Sequence, residues 1–210
     1  MGQILSKLLE DTILVESKDV VASVKVGAGQ SVFIKHHDLT DAARVFTAVA
    51  ATDLVTVVSF ASDKYPRTGL KVRLTTTGTL PAGLALATDY FAIQTGTNGV
   101  IKLASSLANA QAGTAIDITD AGTGTHTITP VSGGARTLTL SFSNDGVNFS
   151  NVISLNGATA TTYSAVTLNA SAAVLLYDLS LYQNISHVKL STVLAADGQA
   201  RLSFIVSCPN

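Results

Sequence analysis

The chain has 210 residues, of which 47 % are hydrophobic and only 13 % charged. That length fits one large domain or two small ones, and the apolar share can fill a core, which excludes a disordered chain. Thirteen Lys+Arg against fourteen Asp+Glu leave a net charge of −1, so neither a basic nucleic-acid binder nor an acidic tail is expected. The apolar residues come in short runs broken by Thr, Ser and Gly. None of these runs approaches the roughly 20 apolar residues of a membrane-spanning helix. The single cysteine, Cys208, allows no intramolecular disulfide, and with four histidines it offers no evident zinc set. The N-terminal segment lacks the long apolar stretch and cleavage site of a secretory signal, so synthesis in a cytoplasm is expected.

In chain order, the first element is a short helix-like pattern. Ile4, Leu5, Leu8 and Leu9 fall at helical spacing. A helix this short is marginal in water unless it docks. These four residues are therefore the candidate contacts of an N-terminal arm, laid on a neighbouring subunit or on the chain's own body. From Thr12 the period changes to two. TILVE, VVASVKV and QSVFIKHH are β-branched runs, with Gly27-Ala28-Gly29 as a turn. Val24, Val26, Val32 and Ile34 alternate with polar or larger residues, the pattern of half-buried antiparallel strands. DLTDAARVF offers Asp38 or Thr40 as a cap and reads as a helical turn.

From residue 47 to 132 the sequence is rich in Thr, Ala and Gly and poor in charge. DLVTVVSF, LKVRLTTT, DYFAIQTG, GVIKLA and THTITPV read as strands. Asn98-Gly99 is a strong hairpin signal. SSLANAQAG reads as a short helix, capped by Ser105 or Ser106 and stopped by Gly113. After Ser132-Gly133-Gly134, RTLTLSFS alternates cleanly and Asn144-Asp145-Gly146 turns it back. TTYSAVTL, AVLLYDLSLY, HVKLSTVLA and ARLSFIVSC follow at even spacing, as in a β-sandwich or barrel. Leu202, Phe204 and Val206 share one face of the last strand, with Arg201, Ser203 and Ser207 on the other.

The expected fold is all-β. Residues 1–46 and 133–210 form an antiparallel β-sandwich, a second small β domain at 47–132 is inserted in one of its loops, and a short N-terminal arm leads in. The first section alone offers too few strands to bury both faces, which disfavours three tandem pieces. Insertions succeed at exposed loop tips.

The middle section also carries a resemblance. From Leu70 to Pro130 the run KVRLTTTGTLPAGL, a Tyr-containing strand, IKLASSLANA and AGTGTHT resembles a small β module of tailed-bacteriophage structural proteins. The third section, with SNDGVNF and the closing ARLSFIVS, is similar more loosely to phage β-sandwiches, with Phe149 where Trp is common. The resemblance implies a non-enzymatic virion structural protein assembled in the host bacterial cytoplasm. The leading expectation is a capsid decoration (cement) protein that binds the outer head surface as a homo-oligomer, with the major capsid protein as partner. A tail tube or head–tail connector protein, or a fibre-associated receptor- or glycan-binding module, are the alternatives. Direct nucleic-acid and membrane partners are not expected.

The residues themselves supply no catalytic, cofactor or metal set. Ser, His and Asp are present, but no G-x-S-x-G elbow or comparable context accompanies them. His36 and His37 are adjacent on a strand and point to opposite faces, so together with Asp38 they make a poor metal site. His126 sits in a Thr-rich strand within the phage-like run. Asn144-Asp145-Gly146-Val147-Asn148 has oxygen donors but not the length or closing Glu of an EF-type loop, and Asp117 and Asp120 lie apart from it. With no Trp and 6 % aromatics, a sugar reader is disfavoured, and Tyr65, Tyr90, Tyr163, Tyr177 and Tyr182 read as packing. Lys64, Arg67, Lys71 and Arg73 are the one local basic cluster, with Lys71 and Arg73 on one face of a strand. The Asn-x-Ser sequons at Asn148, Asn169 and Asn184 have no meaning without secretion.

Overall fold

A computed structural model describes residues 3–14, 18–23, 31–36, 43–58, 66–131, 136–153, 161–162, 165–168, 173–178, 185–194 and 199–209. In chain order its strands are β1 (Gln3–Leu14), β2 (Lys18–Ser23), β3 (Ser31–His36), β4 (Arg44–Val49), β5 (Leu54–Val57), β6 (Lys71–Thr76), β7 (Tyr90–Gln94), β8 (Val100–Ala104) and β9 (His126–Pro130). They continue with β10 (Arg136–Ser143), β11 (Val152–Ile153), β12 (Thr161–Thr162), β13 (Val166–Leu168), β14 (Ala173–Asp178), β15 (His187–Leu194) and β16 (Ala200–Pro209). One α-helix, α1 (Leu107–Ala112), and a 3-10 turn at Ala50–Thr52 complete the described elements. The protein is mostly β, and among the described residues every strand pairing is antiparallel. No helix among the described residues is long and apolar enough to cross a membrane.

The chain divides into two compact units. One is discontinuous in sequence, Met1–Leu39 with Gly133–Asn210; the other is Thr40–Ser132. The discontinuous unit holds two four-stranded sheets, ordered β1-β16-β3-β14 and β13-β10-β15-β2. Alternation explains their burial. Val32 and Ile34 of β3 and Leu202, Phe204 and Val206 of β16 come from the first sheet. Leu138, Leu140 and Phe142 of β10 and Val188 and Leu190 of β15 come from the second. All join one hydrophobic core, each no more than 3 % exposed. At roughly 1.5–3 kcal/mol per fully buried large apolar side chain, this shared core is the main force holding the sheets.

The continuous unit is a closed six-stranded barrel, in the order β4-β5-β8-β7-β6-β9, with β9 returning to β4. Phe46, Val55, Val72, Leu74, Ile101, Leu103 and Ile128 alternate into buried positions around it. α1 forms where the sequence places it: Ser106 Oγ accepts from Asn109 N at 3.1 Å, and Gly113 ends the helix at φ 75°. The Asn98-Gly99 hairpin joins β7 to β8, with Gly99 at φ 73°.

Two readings need correction. Residues 3–14 form a strand, not a helical arm: β1 pairs with β16 from Gln3 opposite Pro209 to Leu14 opposite Ala200. The ladder's hydrogen bonds outweigh a helical spacing too short to nucleate alone. Within DLTDAARVF, Arg44-Val45-Phe46 belong to β4 rather than to a helical turn, whereas residues 38–42, with the expected caps Asp38 and Thr40, lie outside the described residues.

Candidate functional site

The run that carries the phage-like resemblance folds mainly into the barrel and two loops that interlock on it. Residues 77–84 follow β6, and residues 117–125 precede β9. Thr77 N donates to Thr125 O at 3.0 Å, and Thr123 N to Thr79 O at 2.8 Å. Side chains add Thr79 N to Thr123 Oγ1 at 3.2 Å, Thr125 N to Thr77 Oγ1 at 2.9 Å and Ala82 N to Asp120 Oδ1 at 2.8 Å. The backbones approach so closely that side chains are excluded. A Cβ on Gly122, whose φ is +68°, would lie 2.5 Å from Thr79 O and 2.6 Å from Pro81 N; one on Gly78 would lie 2.3 Å from Thr123 O. Glycine is demanded here by contact and conformation together. The backbone N–H of Ala82, and then that of Gly122, hold the Asp120 carboxyl below its usual range.

His126 closes this arrangement from within the barrel. It is 5 % exposed, and its ring packs tilted on Phe46 at 5.4 Å. Nε2 lies 3.1 Å from Ala121 O, and Nδ1 lies 2.8 Å from Thr76 Oγ1. A carbonyl can only accept, so the proton belongs on Nε2, and Nδ1 accepts from the Thr76 hydroxyl. That hydroxyl in turn accepts from Gly78 N at 3.1 Å. Both ring nitrogens tie the loops to the barrel wall, and neither is left for a substrate.

The basic cluster is partly neutralised. Lys71 and Arg73 converge on Asp89, Lys71 Nζ at 3.8 Å from Oδ2 and Arg73 Nε at 2.5 Å from Oδ1. Lys71 is 7 % exposed. A second pair, Lys102 with Asp53 at 3.7 Å, was not signalled by the sequence. Asp53 sits at φ 55°, and its Oδ1 accepts from Ile118 N at 3.0 Å, a contact across 65 residues that no local pattern encodes. Tyr90 is buried, and its hydroxyl accepts from Ala85 N at 2.7 Å.

In the unit of two sheets, the Asn144-Asp145-Gly146 turn is held by one carboxylate. Asp145 accepts from Ser143 Oγ at 2.7 Å, Val147 N at 2.8 Å, Asn148 N at 2.9 Å and Asn148 Nδ2 at 2.7 Å. The Asn148 backbone N–H contributes most to holding its carboxyl far below the usual range. Ser186 Oγ is 2.8 Å from His187 Nδ1. These four bonds commit Asp145 to its own turn, whereas a hydrolytic triad needs the carboxylate to orient the imidazole. Gly146 rests on the His187 ring, where an added Cβ would lie 2.9 Å from Cε1. Among the described residues no three His, Cys, Asp or Glu side chains gather as a metal site.

Ile4, Leu5 and Leu9 stand opposite Cys208, Ser207 and Phe204, and Leu8 falls at a register shift; the side chains of all four lie outside the described residues. So do His37, Asp38, Lys64, Tyr65, Tyr163, Asn169, Tyr182 and Asn184, and the side chains of His36 and Tyr177.

No family model matches the chain. No curated protein matches it either. Among solved structures it is similar to VP17, a capsid protein of bacteriophage P23-77, at 9 % identity over 100 % of this chain and 99 % of that one, with a TM-score of 0.20. A likeness at that score carries no weight for fold or role.

Proposed function

We propose that the protein is a non-enzymatic structural component of a tailed-phage virion, a decoration protein that binds the outer head surface as a homo-oligomer. One observation carries the reading. The residues that resemble the phage module are spent on scaffold: Gly78 and Gly122 on loop-to-loop contact, His126 on two structural hydrogen bonds, and Asp120 on backbone amides. Distinctive residues engaged in holding loops to a barrel suit a structural surface protein, in which symmetry multiplies weak contacts.

In this reading the two sheets form a host sandwich and the barrel is its insertion. The stretch that holds Ile4, Leu5, Leu8 and Leu9 is the proposed contact to a neighbouring virion subunit; it lies on β1, at one end of its sheet among the described residues, with successive residues on opposite faces. Gold-labelled antibody against the chain, applied to particles of the phage that encodes it, tests the assignment. Label over the head surface is expected. Label confined to the tail or one vertex overturns the decoration role, and absence of label from intact and disrupted particles overturns the virion role. Replacing residues 40–132 with a Gly/Ser linker tests the insertion. A cooperative melt with β-type circular dichroism is expected, and its loss overturns the host–insert division.

A further inference from the structure

We propose that β14 is a docking edge for a second copy of this chain, pairing antiparallel with β14 of that copy. This deepens the oligomeric reading above and rests on it. The outer face of the first sheet carries a cross-strand apolar row: Leu176 of β14 stands opposite Phe33 of β3, and Phe33 opposite Ile205 of β16. Their neighbours Val32, Ile34, Phe204 and Val206 turn the other way, into the core. The row ends at the sheet's edge, where Leu176 is 69 % exposed. Among the described residues, β14 has a paired strand on one side only.

The four sheet edges differ in how they discourage pairing. β1 is interrupted by two register shifts, which bend a strand away from a regular ladder. β2 begins with Lys18 and Asp19, and β13 has only three residues. By contrast, β14 (AVLLYD) runs six residues in unbroken register with β3 and has no Lys, no Pro and no bulge. Among the described residues it is the edge left open to another strand.

A second copy fits this edge by symmetry. Antiparallel pairing about a two-fold axis normal to the sheet keeps inner faces with inner faces, so residues of like parity must stand opposite one another. A register centred on Leu176 meets that condition. It sets Leu176 beside Leu176 of the copy, at the spacing where cross-strand side chains pack. Asp178, the strand's one charged residue, then stands opposite Val174 of the copy, so the two acids fall at opposite ends of the ladder. The apolar row becomes continuous across both copies, and two four-stranded sheets merge into one.

Light scattering after size exclusion, on the full chain, tests this. The wild type is expected at an even multiple of the monomer mass. Leu176→Lys is expected at half the wild-type mass with unchanged circular dichroism, whereas Val193→Lys, at a 58 % exposed site on the other sheet, keeps the wild-type mass. Should Leu176→Lys fail to fold, Leu176→Cys in a Cys208→Ser background decides: mild oxidation is expected to give a disulfide-linked dimer, and Val193→Cys in that background is not. A folded Leu176→Lys at wild-type mass, or a Leu176→Cys that does not cross-link, overturns the β14 edge and leaves the oligomeric reading standing. A wild type that is monomeric at every concentration overturns both.

Discussion

In the barrel every strand has a hydrogen-bonded neighbour on each side, from β4 and β5 round to β9 and β4. Each four-stranded sheet ends, among the described residues, in two strands paired on one side only. Closure removes the edge problem outright, whereas open sheets must blunt their edges or use them. The loops follow the same division. The barrel's 77–84 and 117–125 loops bond to each other across about 40 residues of chain, while the 143–148 turn bonds mostly within itself, its distant partner being Ser186, which donates to Ser143 O. The barrel is thus built for rigidity through long-range backbone contact. The sheets draw their stability from a side-chain core, and among the described residues their outer strands are paired on one side only.

The sharpest way to break the barrel's side of this comparison is Gly122→Val. Its β-carbon would meet backbone atoms of Thr79, Leu80 and Pro81 within 2.8 Å, at a positive φ. Backbone cannot rotate out of the way as a side chain can, so a loss of about 4 kcal/mol or more is expected. Gly96→Ala is the control: its φ is also positive, at +87°, but nothing lies within 4 Å, and about 1 kcal/mol is expected. Amide hydrogen exchange at Thr77 and Thr123 reads the difference. Equal protection in the two variants would mean the loops do not depend on this approach.

On the sheets' side, Phe204→Ala removes a side chain with no exposed surface from the core the two sheets share. A loss of roughly 3–5 kcal/mol is expected. Exchange should rise in β10 and β15 as well as β16, because the sheets are held through that core. A rise confined to β16 would mean they are not. His126→Ala comes next in size. It leaves Ala121 O and Thr76 Oγ1 without the imidazole, at about 2–3 kcal/mol, and loosens the 117–125 loop. His126→Gln can restore one of the two bonds and should cost less. If the two substitutions melt alike, the imidazole's hydrogen bonds are not what hold the loop.

Much of this was legible because local signals and global fold agreed. RTLTLSFS alternates, and β10 spans those residues; Ser106 and Gly113 bracket α1 as their chemistry requires. Legibility failed where partners are distant. Nothing near residues 44–49 announces that β9 waits 80 residues on to pair with β4. At the N-terminus a six-residue helical rhythm yields to β16, at the other end of the chain. The candidate site was legible as motif but not as mechanism. Gly78 of the TTTGTL segment and Gly124 of the AGTGTHT segment are visible in sequence, whereas their mutual contact exists only once β6 and β9 pair.

Asp145 adds a test in which pH is the variable. Its folded pKa lies below the ordinary value of 3.8, so its stabilising contribution is fully present above that value and is lost as pH falls through the folded one. Asp145→Ala should therefore lower the melting temperature of the sheet unit at neutral pH, with the gap to wild type closing in strong acid. A gap that stays constant with pH would mean that the carboxylate's charge is not what holds the turn.

The smallest expected effect has the opposite sign. Thr192 on β15 is 1 % exposed, and among the described residues its Oγ1 has no hydrogen-bond partner. It stands opposite Leu138, beside the core residues that join the two sheets. A buried hydroxyl without a partner carries its desolvation cost unrepaid, whereas a methyl of the same shape does not. Thr192→Val should therefore raise stability by about 1 kcal/mol, read as a higher denaturant midpoint with an unchanged slope. The gain should appear in the sheets and not in the barrel, because Thr192 belongs to their core alone. If the midpoint falls instead, the hydroxyl has a partner in the folded protein, and the sheets' interior is more polar than the alternation of β15 implies.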